Sequence, residues 1–196
     1  MRQVVQVLFQ YRVAVGFTAR KLPFMLAGMA APVVEVVTSF GTFVIELDHA
    51  HAPKTVDNFL EYVDANHYDG TIFHRVIPTF MVQGGGYDKA YEKRPVRVAI
   101  MNEADNGLKN VRGTVAMART GEPHSATSQF FVNVVDNAFL DFKSKDEKGW
   151  GYCVFGRVTS GLDVVDKIKA VKTGAHGPFS KDAPDTAVVI ERIRRK

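Results

Sequence analysis

Two short stretches concentrate the side chains that could act on a ligand. Phe73 to Gly86 reads FHRVIPTFMVQGGG, and Ser128 to Val134 reads SQFFVNV. If Thr79 to Gln83 is extended, alternation sets Met81 and Gln83 on one face and Val82 on the other. In the second stretch Gln129 and Phe131 share a face while Phe130 and Val132 point away. Both faces of each strand are therefore apolar, unlike a half-buried strand with one polar side. Two such strands would line a greasy pocket with a few hydrogen-bonding groups on its wall, and Arg75 could bring a charge to its edge. Periodicity alone is equally consistent with a core sheet carrying two stray glutamines.

Familiar reaction chemistries find no support. Gly84 to Gly86 are not followed by Lys and Ser/Thr, which argues against a phosphate loop. There is no G-x-S-x-G elbow, the nearest approach being Ser160-Gly161. His49 and His51 lack a further ligand cluster and read as solvated loop, so no metal is expected. His74 neighbours Arg75 on a strand, where adjacent residues face opposite ways, and reads as structural. The single cysteine, Cys153, sits in an apolar run and reads as a buried small hydrophobe.

The elements that must position these residues form one domain behind a leader. Of 196 residues, 46% are hydrophobic, enough for a substantial core, and no apolar run reaches the length of a membrane span. Arg2, Arg12, Arg20 and Lys21 carry the whole formal net charge of +4, and no acidic residue precedes Glu35. The remaining 21 basic residues match 21 acidic ones, which argues against a nucleic-acid partner for the domain. Residues 1–32, with an apolar run from Leu22 to Ala31, read as a dispensable leader. A cleaved leader and a periplasmic destination stand ahead of a cytoplasmic or mitochondrial one.

From Val33 to the end, the pattern is mainly β. Val33–Thr38 and Thr42–Leu47 read as a hairpin. Pro53 suits a first helical position, and Val56, Phe59, Leu60 and Val63 form the stripe of a helix running to about His67. Further strands are expected at Ile72–Val76, Phe80–Gly84, Val96–Ile100, Gly113–Arg119, Gln129–Val134, Tyr152–Val158 and Ala187–Ile193. A second helix carries Val164, Val165 and Ile168. Glu103–Arg112 and Phe142–Gly149 read as surface loops. Eight or more strands without regular β-α-β alternation favour antiparallel pairing and barrel closure, which would leave the outer face free for a groove.

In this order, FHRVIPTFMVQGGG, GTVAMART, SATSQFF and YCVFGRV resemble the cyclophilins, and NEADNGLKN, DNAFLD and GWGYCVFG resemble the bacterial type. The resemblance runs from about Val33 to Ile193. It implies a closed eight-stranded antiparallel β-barrel capped by two α-helices, and peptidyl-prolyl cis–trans isomerase activity without cofactor. It also implies that Arg75 is the catalytic arginine, that Phe80, Met81, Phe131 and Leu140 form a proline pocket, and that Gln83 hydrogen-bonds substrate. Gln129 would lie at the rim, with Ala118 and the backbone of Arg119 beside the bound peptide. Phe139 stands where many eukaryotic members have tryptophan, and Tyr152 where they have histidine; both would line the site. Proline-containing peptides and folding chains are the implied partners, with weak cyclosporin binding. A monomer is expected, since nothing in the sequence outside the leader marks a dimer interface. A proline-peptide binding module or holdase on the same barrel is the alternative.

Overall fold

The computed structural model describes residues 31–196, so the leader, apart from Ala31 and Pro32, lies outside the described residues. The chain opens with the expected hairpin, β1 (Val33–Thr38) and β2 (Gly41–Leu47), and helix α1 follows at Pro53–Asp64. Strands β3 (Thr71–Ile77) and β4 (Met81–Asp88) form the second hairpin. Then come β5 (Thr114–Met117), β6 (Phe130–Asn133), β7 (Val154–Ser160) and helix α2 (Leu162–Lys169). A small hairpin, β8 (Thr173–His176) and β9 (Phe179–Pro184), precedes β10 (Val189–Arg195). Eight strands close into an antiparallel barrel in the order β1-β10-β3-β4-β6-β5-β7-β2, which leaves no unpaired edge among them.

Closure assigns the two apolar faces of the central strands to two different cores. Val82, Phe130 and Val132 point inward with Val34, Phe43, Ile45, Val115 and Phe155, and α1 contributes Val56, Phe59, Leu60, Tyr62 and Val63 to the same cluster. Met81, Ala116, Phe131, Leu140 and Val154 form a separate buried cluster on the outside of the barrel. The alternation expected from the sequence is therefore real, and the second face serves an external cleft.

Three expectations need correction. Helix α1 stops at Asp64 rather than near His67, because Asn66 takes a left-handed conformation (φ 54°) and the chain turns. Val96–Ile100 is not a strand: only Ile100 bridges, to Ala126, and Val98 is 88% exposed. The segment instead runs over α1, with the Arg97 N–H donating to the Tyr62 hydroxyl at 2.7 Å. The hairpin β8–β9 went unseen because its sequence, rich in Gly, Pro and polar residues, shows no apolar alternation. The Glu103–Arg112 loop also does more than cover the surface. Glu103 accepts hydrogen bonds from the N–H groups of Lys54 and Thr55 and from the Thr55 hydroxyl, placing a negative charge at the N-terminus of α1.

Candidate active site

The outer cleft is built on three neighbouring strands, β4, β6 and β5, with β3 supplying its edge. Met81 on β4 lies opposite Asn133, and Gln83 lies opposite Phe131 on β6, so one apolar and one polar side chain alternate along each wall. Phe131 and Met81 are 3% and 1% exposed and share their cluster with Leu140, while Phe80, Ala118 and Tyr152 pack around it. The Phe131 and Tyr152 rings meet edge to face at 5.8 Å. Phe139 stacks tilted against Phe80 at 5.4 Å and is 64% exposed, an unusual position for a large apolar ring.

Along the polar side, the Gln83 amide donates to Gln129 Oε1 at 2.9 Å, and Arg75 Nη1 approaches Gln83 Oε1 at 3.5 Å. The last contact is at the limit of a hydrogen bond, so most of the guanidinium's donors remain open to the cleft. The Arg75 guanidinium carbon lies 5.9 Å from the Phe80 ring centroid. No carboxylate pairs with Arg75 among the described residues, although Arg97, Arg112, Arg157, Arg194 and Arg195 each meet one. Gly86 is needed beneath this row: a Cβ there would come within 2.5 Å of the Gln129 side chain.

These features meet a family pattern. Residues 33–195 match the family model for cyclophilin-type peptidyl-prolyl cis–trans isomerases. The chain is a member of the cyclophilin family. It is 61% identical over 161 residues to a peptidyl-prolyl cis–trans isomerase of Streptomyces antibioticus, covering 82% of this chain and 96% of that one. It is 54% identical over 156 residues to peptidyl-prolyl cis–trans isomerase B of Escherichia coli, with 80% and 94% covered. A crystal structure of a cyclophilin-type isomerase from Cryptosporidium parvum superposes with a TM-score of 0.65 at 25% identity, covering 85% of this chain and 98% of that one. This cyclophilin is accordingly a peptidyl-prolyl cis–trans isomerase, acting on X-Pro bonds.

All eleven residues expected at the site fall in or around the cleft of the cyclophilin. Arg119 is among them: its guanidinium lies 4.6 Å from the Tyr152 centroid, and Nε donates to the Gly151 carbonyl at 2.9 Å. Sequence reasoning missed the frame behind the pocket. Asn137 donates to the Phe80 carbonyl at 2.9 Å and to Asn133 Oδ1 at 2.7 Å. Asn133 donates to Asn110 Oδ1 and Thr114 Oγ1, and Asn110 donates to Asp141 and to the Tyr152 carbonyl. All three asparagines are buried, and their linked amides hold Phe80, the Phe139–Asp141 turn and Tyr152 in one register. Gly151 adds a tight contact: at φ 64°, a Cβ there would lie 2.5 Å from the Leu140 carbonyl oxygen. The signal for this frame lay in Asn110, Asn133 and Asn137 of NEADNGLKN, SQFFVNV and DNAFLD, whose partners no periodicity reveals.

His74 and Arg75 depart from simple alternation. Phe73 faces Gly84 and Arg75 faces Gln83, so β3 bulges between them. His74 is 2% exposed and packs against Tyr87 at 4.8 Å and Phe179 of β9 at 5.1 Å. Its role is structural, as read from the sequence. Burial, above all, lowers its pKa to about 4, and its Nδ1 has no partner among the described residues. The folded state keeps the ring neutral while the unfolded chain binds a proton below about pH 6.5. The contribution of His74 is therefore fully present above that pH and is lost as pH falls toward 4. Urea unfolding at pH 7 and at pH 4.5 should show the wild type losing about 2–3 kcal/mol more than His74→Phe. An equal loss in both would contradict this.

Cys153 is buried beside Thr55 Oγ1 at 3.5 Å, and burial pushes its thiol up to about 12, so it is no nucleophile. His49 lies against Asp57 and His51 against Asp48, both at exposed positions.

Proposed function

We propose that the outer cleft binds the X-Pro segment of unfolded or folding chains and that Arg75 is the group that lowers the rotation barrier. The prolyl ring enters the pocket of Phe80, Met81, Phe131 and Leu140. Gln83 and Gln129 supply hydrogen bonds along one wall, and the backbone around Ala118 and Arg119 pairs with the peptide. Two observations support that pairing: β5 ends at Met117, and the Arg119 N–H and C=O carry no hydrogen bond among the described residues.

Rotation about a prolyl amide breaks no covalent bond; its barrier of about 18–20 kcal/mol is the resonance energy of the planar amide. Twisting localises the lone pair on the prolyl nitrogen, which then accepts a hydrogen bond that the planar form cannot. A guanidinium is permanently charged and offers a rigid fork of donors. Held at the pocket edge, Arg75 strengthens its bonds as the amide twists, so it favours the transition state over either planar ground state. The observation that carries this reading is a guanidinium beside a buried apolar pocket, with no carboxylate partner among the described residues.

Exchange spectroscopy on a short X-Pro peptide with catalytic amounts of the full chain tests it. Accelerated exchange that Phe131→Ala slows about 10- to 100-fold supports the reading. Suppressed aggregation of an unfolded client with no accelerated exchange would favour the holdase instead. The protein acts as a monomer in this reading. Export through the leader is part of the same proposal; N-terminal sequencing of protein from its source would give a start near Ala31, and an intact Met1 would contradict it.

Cyclosporin binding follows from Phe139. The ring keeps an apolar wall but lacks the indole N–H of the tryptophan-bearing cyclophilins. Losing that donor and some contact should cost about 1–2 kcal/mol, roughly tenfold in affinity. Phe139→Trp should bind the drug correspondingly tighter by titration, and equal affinities would refute the prediction.

A further inference from the structure

We propose that the Arg119 side chain makes this cyclophilin favour X-Pro substrates with an acidic residue beside the proline. The inference rests on the cleft being the peptide site. Arg119 follows the end of β5, and its guanidinium is immobilised at the cleft mouth. Nε donates to the Gly151 carbonyl at 2.9 Å, and Nη1 donates to the carbonyls of Thr120 and Gly121 at 2.9 and 3.1 Å. The group lies 4.6 Å from the Tyr152 centroid, and Tyr152 in turn meets Phe131 edge to face. One aromatic ring therefore separates a fixed positive charge from the proline pocket.

That charge is unneutralised. No carboxylate pairs with Arg119 among the described residues, and Glu122 on the same loop makes no ion pair with it. Its neutral partners are three backbone carbonyls, which use Nε and Nη1 and leave Nη2 without a partner among the described residues. Two planar donors and a full charge therefore stay available next to bound peptide. Because its side-chain geometry is already fixed, a substrate carboxylate binds without paying to order the arginine. A lysine at the same substrate position meets repulsion from the same charge.

The test is exchange spectroscopy with the full chain on blocked peptides of one X-Pro core. The two positions on each side of the proline are filled in turn with Glu, Ala or Lys. At low salt the Glu peptide should turn over with a kcat/KM about fivefold above the Lys peptide at one or more positions, and about 0.5 M salt should shrink the ratio. Arg119→Gln should lower the ratio several-fold at the position where it is largest, leaving only what the Arg75 charge contributes, and Arg119→Lys should retain its direction. A general loss from disturbing the loop cancels, because the ratio is taken within each variant. A Glu-to-Lys ratio unchanged in Arg119→Gln, or no charge preference in the wild type, would overturn the inference alone. Undiminished turnover of the all-Ala peptide in Phe131→Ala would remove the cleft reading and the inference together.

Discussion

Arg75→Ala is expected to lower kcat/KM for X-Pro peptides by about 10²–10³, or ~2.7–4 kcal/mol, with little change in stability. The stability expectation comes from the contacts that Arg75 makes: one marginal bond to Gln83 and the edge of the Phe80 ring, with no ion pair to break. The activity expectation comes from the chemistry. Neither planar isomer offers the prolyl nitrogen as an acceptor, so the arginine's most valuable hydrogen bond exists only while the amide is twisted. Removing an interaction made only in the transition state lowers kcat while leaving ground-state affinity near its original value. Arg75→Lys should recover little, because an ammonium on a flexible stem cannot reproduce two donors in one plane. A coupled assay on a proline tetrapeptide and urea unfolding of each variant would check both expectations.

Phe131→Ala should fail in a different way. Its ring is 3% exposed, centred in the outer cluster with Met81, Ala116, Leu140 and Val154, and braced by Tyr152. Truncation opens a cavity in the wall of the cleft and should cost about 3–5 kcal/mol of stability. It also removes the surface against which the prolyl ring is buried, worth ~1.5–3 kcal/mol, so kcat/KM should fall by about 10- to 100-fold. The loss should appear mainly as a higher KM, because the ring grips planar and twisted prolines alike. Phe131→Leu should restore most of the stability and part of the binding. A variant with normal KM and low kcat would mean that Phe131 acts on the twisted state, contrary to this assignment.

How much of this was legible before the structure depends on the distance over which each feature is determined. The two-faced strands were legible because alternation is local: Met81 and Gln83 against Val82, and Phe131 against Phe130 and Val132, separate by the pleat alone. Barrel closure could be argued from the strand count and the lack of β-α-β alternation. The part played by Arg75 was not accessible that way. Its direction depends on the bulge in β3, so the residues could suggest a charge near the pocket, and only the family resemblance assigned it the catalytic role. The asparagine frame was invisible for a related reason. Asn137 reaches Phe80, and Asn110 reaches Tyr152, across long sequence separations, and a polar residue in a loop gives no sign of its partner. Glu103 capping α1 from 48 residues away belongs to the same class. Val96–Ile100 misled in the opposite sense: it alternates like a strand, yet the eight barrel positions are filled elsewhere, and the segment has no ladder to join.

The central claim is that Arg75 acts on the twisted amide rather than on peptide binding. It is tested most directly by measuring, at saturating peptide, the cis–trans interconversion rate on the enzyme together with the affinity, in wild type and Arg75→Ala. The account predicts an on-enzyme rate reduced by about 10²-fold or more with affinity changed by less than about fivefold. A near-normal on-enzyme rate with weakened affinity would contradict it and make the pocket the catalyst and the arginine a positioning group.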